Sequence, residues 1–299
     1  MGATEGSGQV SETSRVLITG AGGLLGRPLA RRFALDRAWQ TIALDRAGLD
    51  ITDEEAVGRV MDRERPGLII NCAAFTKVDA CEQEKELAQR VNGEGAGNIA
   101  AEAAKVGARL IHISTDYVFD GTSALPYRED QPPAPPEMLC WYGRSKLLGE
   151  QAVTGRHPSP LIIRTAWVFG EDGPCFPKTI LRLAKERPEL RVVNDQVGSP
   201  TYARDLADAI YRLAQHPEAT GIMHATNSDI CTWYEFANEI LRVAGIGTPV
   251  RPVSTAEFPT PAKRPAFSVL DNRRFVQTVG APLRSWREAI ADFLAGSAG

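Results

Sequence analysis

Short apolar runs alternate with amphipathic segments along much of this chain. Five such runs occur in the first 165 residues, and each is followed by a helical pattern. Continuous apolar runs of this length are typical of parallel strands, because helices cover both faces of a parallel sheet. The repeated strand–helix units predict an α/β fold with a doubly wound parallel sheet. The predicted strands are residues 15–19, 41–44, 68–70, 108–113 and 161–165.

Beyond residue 170 the alternation loosens, and a proline-rich stretch at 249–265 precedes the final predicted helix. No clean linker separates these later elements, so we expect a small C-terminal lobe beside the sheet. The first residues are rich in Gly, Ser, Thr and Glu, which predicts disorder. The predicted division is a disordered tail at 1–14, a sheet domain at 15–170 and mainly a lobe at 171–299, with helix 201–215 packing back on the sheet domain.

Composition narrows the classes of partner. The chain has 299 residues and a formal net charge of −3 without a basic stripe, so we expect no nucleic-acid partner. No apolar run reaches the roughly 18 residues of a membrane span, and no signal peptide is evident. Five cysteines without a C-x-x-C pair indicate reduced thiols in a cytoplasmic protein. The four histidines have no metal-ligand spacing, so we expect no metal site.

Three glycines at a spacing of three residues, Gly20, Gly23 and Gly26, follow the first predicted strand and open the first predicted helix. Such glycines permit a tight turn and let a pyrophosphate approach the backbone, while the helix N-terminus attracts an anion. A plain strand–helix turn is the alternative, since a lone glycine pattern is weak evidence. The strand before and the helix after favour a Rossmann-like NAD(P)-binding domain at 15–170, with the C-terminal lobe binding substrate.

The second predicted strand ends at Asp45 and Arg46. An acid about 20 residues past the glycine loop bonds the adenosine ribose hydroxyls in dinucleotide sites. Arg46 suits a 2′-phosphate instead, so NADH and NADPH both stay open. A solvated polar pair at a strand end is the alternative interpretation.

A predicted helix at 84–106 contains Asn92 and the glycines Gly93, Gly95 and Gly97. Glycine is unfavourable inside a helix. This departure from local preference indicates close packing on the sheet or a functional distortion.

Thr115, Tyr142 and Lys146 are the candidate catalytic residues. Thr115 ends the fourth strand, where open α/β sheets bind ligands, and Tyr142 and Lys146 are four residues apart on one helix face. A nearby ammonium and an oxidised nicotinamide would lower the pKa of the phenol, and Tyr142 can donate a proton to a carbonyl oxygen during reduction. Tyr-x-x-x-Lys alone is as well explained by a surface pair; its place after the glycine loop and the fourth strand favours catalysis.

Several longer motifs resemble those of one family. The glycine loop and Tyr142-x-x-x-Lys146 resemble extended short-chain dehydrogenases/reductases. More specifically, the segments STDYVFDG (114–121), RTAWVFG (164–170), DQVGSPT (195–201) and RPAFS (264–268) resemble dTDP-4-dehydrorhamnose reductases. The resemblance covers nearly the whole chain. It implies hydride transfer from NADPH or NADH to C4 of dTDP-4-dehydro-L-rhamnose, giving dTDP-L-rhamnose.

The resemblance also implies roles for individual residues, with Thr115, Tyr142 and Lys146 as the catalytic set. A tryptophan face suits the apolar methyl of a deoxysugar, although Trp167 is equally typical of a core aromatic. The implied cofactor-binding residues are Gly20, Gly23, Leu24, Leu25, Asp45, Arg46, Asp50, Ile51, Ala73, Ala74, Thr76, Tyr142 and Lys146. The implied substrate-binding residues are Val78, Asp79, Thr115, Asp116, Trp167 and Arg264, of which Arg264 would meet the diphosphate.

One position departs from the family pattern. Some members bind magnesium at a dimer interface through a Glu just after the glycine loop, and Arg27 and Pro28 occupy this place here. We therefore expect a monomer or weak homodimer without a bridging metal. Two other functions stay open: reduction of another dTDP-4-keto-deoxyhexose, and a non-catalytic NADP-binding regulatory subunit of the same fold. The intact candidate catalytic residues argue against the regulatory subunit.

Overall fold

The computed structural model describes residues 14–296. The predicted disordered tail lies outside the described residues except for Ser14, which is the first residue of the first strand. The strands are β1 (Ser14–Thr19), β2 (Trp39–Leu44), β3 (Leu68–Asn71), β4 (Arg109–Thr115), β5 (Leu161–Thr165), β6 (Val168–Phe169), β7 (Leu190–Val193), β8 (Val197–Gly198), β9 (Thr201–Tyr202), β10 (Gly221–His224), β11 (Cys231–Thr232) and β12 (Val250–Val253). The α-helices are α1 (Gly26–Ala34), α2 (Glu54–Glu64), α3 (Val78–Cys81), α4 (Lys85–Ala88), α5 (Ala96–Lys105), α6 (Trp141–Arg156), α7 (Phe176–Glu186), α8 (Ala203–Ala214), α9 (Trp233–Val243), α10 (Arg273–Val279) and α11 (Trp286–Gly296).

Six strands form one parallel sheet in the order β2-β1-β3-β4-β5-β10. The predicted doubly wound parallel sheet is confirmed. Strand β2 pairs with one edge of β1 and β3 pairs with the other, so the strand order reverses at β1. Ligands of open α/β sheets bind at such a reversal, beside the carboxyl ends of the strands. The segments that follow β1 and β3 therefore meet at one crevice.

Helices cover both faces of the sheet. On one face α1 and α8 pack together through side chains such as Phe33 and Leu206, and α2, α5 and α6 cover the other face. A third cluster joins α7, α9 and α11 around Phe236 and Trp286. The C-terminal part thus contributes α8 and β10 to the sheet region and builds its own core beside the carboxyl edge of the sheet.

The helix predicted at 84–106 is interrupted. It consists of α4, a π-helix at Gln89–Gly95 and α5. A π-helical turn accommodates one extra residue and is frequent at functional sites. The distortion indicated by Asn92 and its glycine neighbours is therefore present, and it lies beside the crevice.

Candidate active site

A cavity of about 760 Å³ opens at the carboxyl edge of the sheet. Its walls come from the glycine loop, the ends of β2, β3 and β4, the start of α6 and the segment after β5. Asp79 and Arg264 are not among the lining residues. The predicted site residues that do line it are Gly20, Gly23, Leu24, Leu25, Asp45, Arg46, Asp50, Ile51, Ala73, Ala74, Thr76, Val78, Thr115, Asp116, Tyr142, Lys146 and Trp167.

The glycine loop is shaped for close approach of a ligand. Gly20 has a φ of +64°, and a Cβ at this residue would lie 2.6 Å from the backbone nitrogen of Ala73. Only glycine accommodates both conditions. Helix α1 begins at Gly26 without a side-chain cap, so the N–H groups at its N-terminus suit an anion. These features fit the pyrophosphate of a dinucleotide.

Beside the end of β2, the cavity is lined by one acidic residue held by backbone hydrogen bonds and one exposed arginine. Asp45 Oδ1 accepts hydrogen bonds from the backbone nitrogens of Ala47 and Gly48, both at 3.0 Å. The guanidinium of Arg46 is largely exposed and lies 3.6 Å from the carboxylate of Asp50. Asp45 can accept from a ribose hydroxyl through its other oxygen, and Arg46 is accessible to a 2′-phosphate. The geometry accommodates NADH and NADPH alike.

Asn92 links the π-helix to the segment that follows β3. Its Oδ1 accepts from the backbone nitrogen of Phe75 at 2.7 Å, and its Nδ2 donates to the carbonyl of Phe75 at 3.0 Å and to Ser145 Oγ at 2.9 Å. One side chain thus links Phe75 in the cavity wall to Ser145 of helix α6. The sequence marked Asn92 as unusual but did not indicate this partner.

Thr115, Tyr142 and Lys146 meet at the inner end of the cavity. The hydroxyl of Thr115 lies close enough to the phenol of Tyr142 to act on its pKa. Thr115 Oγ1 also donates to Asp116 Oδ1 at 2.9 Å. Lys146 Nζ donates to the carbonyl of Ile113 at 2.6 Å, and both Thr115 and Lys146 are almost completely buried.

Burial sets the protonation of these groups. It raises the pKa of the Tyr142 phenol, and the hydroxyl of Thr115 only partly opposes this effect. In the protein without ligands the net shift is therefore upward, and the lowering of this pKa by a neighbouring ammonium together with an oxidised nicotinamide stays a prediction. Burial also lowers the pKa of Lys146 to about 8 and raises the pKa of Asp116 to about 6. Near neutral pH Tyr142 therefore keeps the proton that an acid must supply.

Asp79 and Arg264 form an ion pair with each other. Two guanidinium nitrogens of Arg264 donate to the two carboxylate oxygens of Asp79 at 3.0 and 2.9 Å. Arg264 Nη1 also donates to Thr260 Oγ1 at 2.5 Å and to the carbonyl of Ala262 at 3.1 Å. The hydrogen bond from Arg264 lowers the pKa of Asp79. This pair therefore connects the loop that contains Arg264 to α3, where Asp79 follows Val78. Contact of either residue with substrate stays a prediction.

Two tryptophans stack at the end of the cavity near the C-terminal lobe. The rings of Trp167 and Trp233 are parallel within 6°, with centroids 3.5 Å apart. Trp167 has a φ of +48°, a strained conformation for a bulky residue and one that concentrates at functional sites. Both rings are partly exposed to the cavity, so Trp167 is not a core aromatic. Trp233, at the start of α9, was not predicted from the sequence, where it carries no distinguishing pattern.

Gly198 makes room for this stack. A Cβ at this position would lie 2.5–2.7 Å from the indole of Trp167. We expect Gly198→Ala to displace Trp167 and to raise the KM for the sugar nucleotide about tenfold, which corresponds to roughly 1.4 kcal/mol of lost binding free energy. The Kd for NADPH is expected to stay unchanged. Steady-state kinetics and cofactor titration measure the two constants. Gly155→Ala is the matched control, because a Cβ there meets no atom within 4 Å; an unchanged KM in Gly198→Ala contradicts a role for the stack.

Among residues 14–296, no group of three or more His, Cys, Asp or Glu side chains is arranged to hold a metal ion. No helix in the same part of the chain is long and apolar enough to cross a membrane.

Comparison with known proteins identifies the family. Residues 14–298 match the family model described as the RmlD substrate binding domain. A probable dTDP-4,6-dihydroxy-2-methyloxan-3-one 4-ketoreductase from Streptomyces antibioticus is 44% identical, covering 93% of this chain and 94% of the relative. A dTDP-4-dehydrorhamnose reductase from Mycolicibacterium smegmatis is 43% identical, covering 95% of this chain and 86% of the relative.

A solved structure agrees with both sequence comparisons. The dTDP-4-dehydrorhamnose reductase of Bacillus anthracis, crystallised in complex with NADP, superimposes with a TM-score of 0.89 at 41% identity, covering 95% of this chain and 99% of that chain. The resemblance drawn from the sequence motifs is confirmed. The chain belongs to the dTDP-4-dehydrorhamnose reductase family, the family of the RmlD substrate binding domain.

Proposed function

We propose that this protein reduces the C4 ketone of dTDP-4-dehydro-L-rhamnose to the alcohol of dTDP-L-rhamnose, with NADPH or NADH as reductant. The observation that carries the proposal is that Thr115, Tyr142 and Lys146 line the same cavity as the glycine loop. Reduction of a ketone by a dinucleotide requires a proton donor and a dinucleotide-binding site.

The residues of this chain have distinct tasks in the reaction. The glycine loop, Asp45 and Arg46 would hold the dinucleotide, which would supply the hydride when bound. Tyr142 gives its proton to the ketone oxygen, and the hydroxyl of Thr115 stabilises the phenolate that remains. Lys146, on the same face of α6, carries a positive charge below its pKa of about 8 and favours that phenolate by charge.

The substrate end of the cavity suits a deoxysugar. Val78 and Trp167 provide apolar surface, and Trp233 supports Trp167 by stacking. Asp116 presents a buried carboxyl oxygen, Oδ2, without a hydrogen bond of normal geometry among the described residues, although the hydroxyl of Ser268 lies near enough to lower the pKa of the carboxyl. A sugar hydroxyl is a suitable donor for this oxygen, since a buried acceptor without a partner is costly.

A second candidate is reduction of a different dTDP-4-keto sugar. The 44% identity with the Streptomyces antibioticus ketoreductase favours it, because the same catalytic residues serve any C4 ketone placed beside Tyr142. The two candidates differ in the sugar and in the face of the ketone that receives the hydride.

The test is oxidation of NADPH with dTDP-4-dehydrorhamnose generated in situ, followed by NMR of the product. We expect turnover and the L-rhamno configuration at C4. The opposite C4 configuration, or turnover only with another dTDP-4-keto sugar, supports the second candidate, and absence of turnover with every such ketone contradicts both. Repeating the assay with NADH measures the cofactor preference.

We further propose that the protein acts in the cytoplasm as a monomer or weak homodimer. The five cysteines are unpaired thiols, as expected in a reducing compartment. Arg27 and Pro28 stand where some relatives have a magnesium-binding Glu. Sedimentation with and without magnesium tests the assembly, and a tight dimer that requires magnesium contradicts it.

A further inference from the structure

A line of buried side chains runs inward from Lys146, away from the cavity. Lys146 Nζ lies 3.5 Å from His112 Nε2, and His112 Nδ1 lies 3.1 Å from Asn71 Nδ2. Asn71 Oδ1 accepts from Thr19 Oγ1 at 2.6 Å and from the backbone nitrogen of Ala73 at 3.2 Å. All four side chains are at least 98% buried. The reaction proposed above uses Lys146 but none of the groups behind it.

The backbone N–H of Ala73 fixes the orientation of the whole line. An N–H group only donates, so the Asn71 atom that faces it is the carbonyl oxygen, and the amide nitrogen of Asn71 faces His112. That amide nitrogen also only donates, so Nδ1 of His112 accepts. Burial, with a smaller effect of the charge on Lys146, holds the pKa of His112 well below its usual range, so the imidazole is neutral. Its one proton is therefore on Nε2, directed at Lys146.

An N–H group directed at Lys146 distinguishes the two charge states of that residue. An ammonium has three donors and no acceptor, whereas a neutral amine has a lone pair that accepts. In either state one N–H of Lys146 remains for the carbonyl of Ile113. The hydrogen bond from His112 is thus available only to the amine.

Other ionisable groups around Lys146 act in the opposite direction. Glu150 on the same helix and Cys72 after β3 both favour the charged form of Lys146, although less than burial disfavours it. Glu150 is already paired with Arg164 at 2.7 Å. Tyr142 lies one turn away on the same face of α6. On β4, His112 contributes the ionisable side chain that faces Nζ.

We propose that His112 is a positioning residue of the catalytic apparatus, whose Nε2–H, oriented by Asn71, donates to Lys146 Nζ and favours the neutral amine at that atom. The inference rests on the proposed function for the part that Lys146 plays beside Tyr142. A charged Lys146 favours the Tyr142 phenolate. Activity therefore falls as the pH rises through the pKa of Lys146, and His112 sets the position of that fall.

The test is NMR of the full-length protein without substrate, so its result does not depend on the proposed reaction. Nitrogen-15 shifts of the four histidines report the tautomer of His112, and titration of the lysine side chains reports the pKa of Lys146. Absence of the corresponding signals in His112→Gln and Lys146→Arg assigns the two residues. We expect the Nε2–H tautomer of His112 at neutral pH and a Lys146 pKa near 8.

Variants at His112 test the donated hydrogen bond. His112→Phe removes the N–H and keeps a ring, so the pKa of Lys146 rises by about one unit and the alkaline fall of kcat/KM moves with it. In His112→Gln the side-chain carbonyl accepts from Asn71 Nδ2, and the side-chain N–H faces Lys146. The pKa of Lys146 is therefore expected to equal that of the wild type. His157→Gln, at a buried histidine bonded to the carbonyl of Ala108, leaves the pKa unchanged.

Two results overturn the inference. One is an Nδ1–H tautomer of His112 in the wild type, which decides the matter even if His112→Phe does not fold. The other is an equal or lower pKa of Lys146 in folded His112→Phe. A shifted Lys146 pKa in a protein that reduces no sugar nucleotide supports the inference about His112 and contradicts only the proposed function.

Discussion

Replacing Tyr142 with phenylalanine is expected to abolish nearly all turnover while NADPH still binds. The substitution removes one oxygen and keeps the ring, whose edge-to-face contact with Tyr117, at 5.4 Å between centroids, remains. Without the phenol, the group proposed to give its proton to the ketone oxygen is lost, and the Asp116 carboxyl beside Thr115 is largely ionised above its pKa of about 6. General acid catalysis contributes about 10²–10⁴-fold to a rate, so kcat falls by about that factor. Single-turnover kinetics and fluorescence titration with NADPH measure the two quantities.

Tyr211→Phe is the control for loss of a tyrosine hydroxyl. The hydroxyl of Tyr211 donates to Asp36 at 2.5 Å, and neither residue lines the cavity, so we expect unchanged kcat and KM. A Tyr142→Phe variant with a kcat near that of the wild type eliminates Tyr142 as the acid. Equal losses of kcat and of NADPH affinity point instead to a collapsed site.

The order of elements along the chain was enough to predict where the chemistry lies. Parallel strands place all their carboxyl ends at one edge, so the segments after β1, β3 and β4 had to converge once the strands were identified. Thr115 could therefore be placed beside Gly20, almost a hundred residues earlier. Tyr142 and Lys146 share a helix face by spacing alone. These predictions needed periodicity and topology, and no knowledge of individual contacts.

Contacts between distant loops could not be predicted in the same way. Arg264 and Asp79 are 185 residues apart, and charge alone does not select one partner among 34 basic and 37 acidic residues. Trp233 reaches Trp167 only because the C-terminal lobe folds over the edge of the sheet. The raised pKa of Tyr142 could not be predicted for a related reason. Spacing identifies the neighbours of a phenol, but its burial depends on the packing of the whole cavity.

Groups at the cavity that are costly to the folded state are candidates for function, because folding alone does not explain them. Trp167 has a strained backbone, and Asp116 keeps an oxygen without a hydrogen bond of normal geometry. Burial also raises the pKa of this carboxyl to about 6, so ionising it inside the folded protein is costly. A ligand that donates a hydrogen bond to Oδ2 of Asp116 would satisfy this oxygen. The cost of the buried carboxylate in the protein without ligand can be measured as a difference in stability.

Replacing Asp116 with asparagine is expected to stabilise the protein and to weaken its activity. Burial raises the pKa of Asp116 from 3.8 to about 6, so between these values the folded state binds more protons than the unfolded chain and stability falls as the pH rises. Above the folded pKa the ionised carboxylate costs about 3 kcal/mol. Asp116→Asn removes this cost, so the free energy of unfolding rises by up to about 3 kcal/mol well above pH 6, with no gain below pH 3.8. Urea denaturation across this range measures it.

Asp120→Asn gives the matched comparison with opposite sign. Burial acts to raise the pKa of Asp120, but hydrogen bonds from Thr122 outweigh it and lower the pKa, so its replacement destabilises the protein near neutral pH. A gain in Asp116→Asn that persists at low pH would have to come from packing and not from charge. A gain confined to high pH, accompanied by a loss of kcat/KM for the sugar nucleotide, identifies the buried carboxylate as a group kept for its ligand at the expense of stability. The same gain with kcat/KM intact eliminates Asp116 from the substrate site.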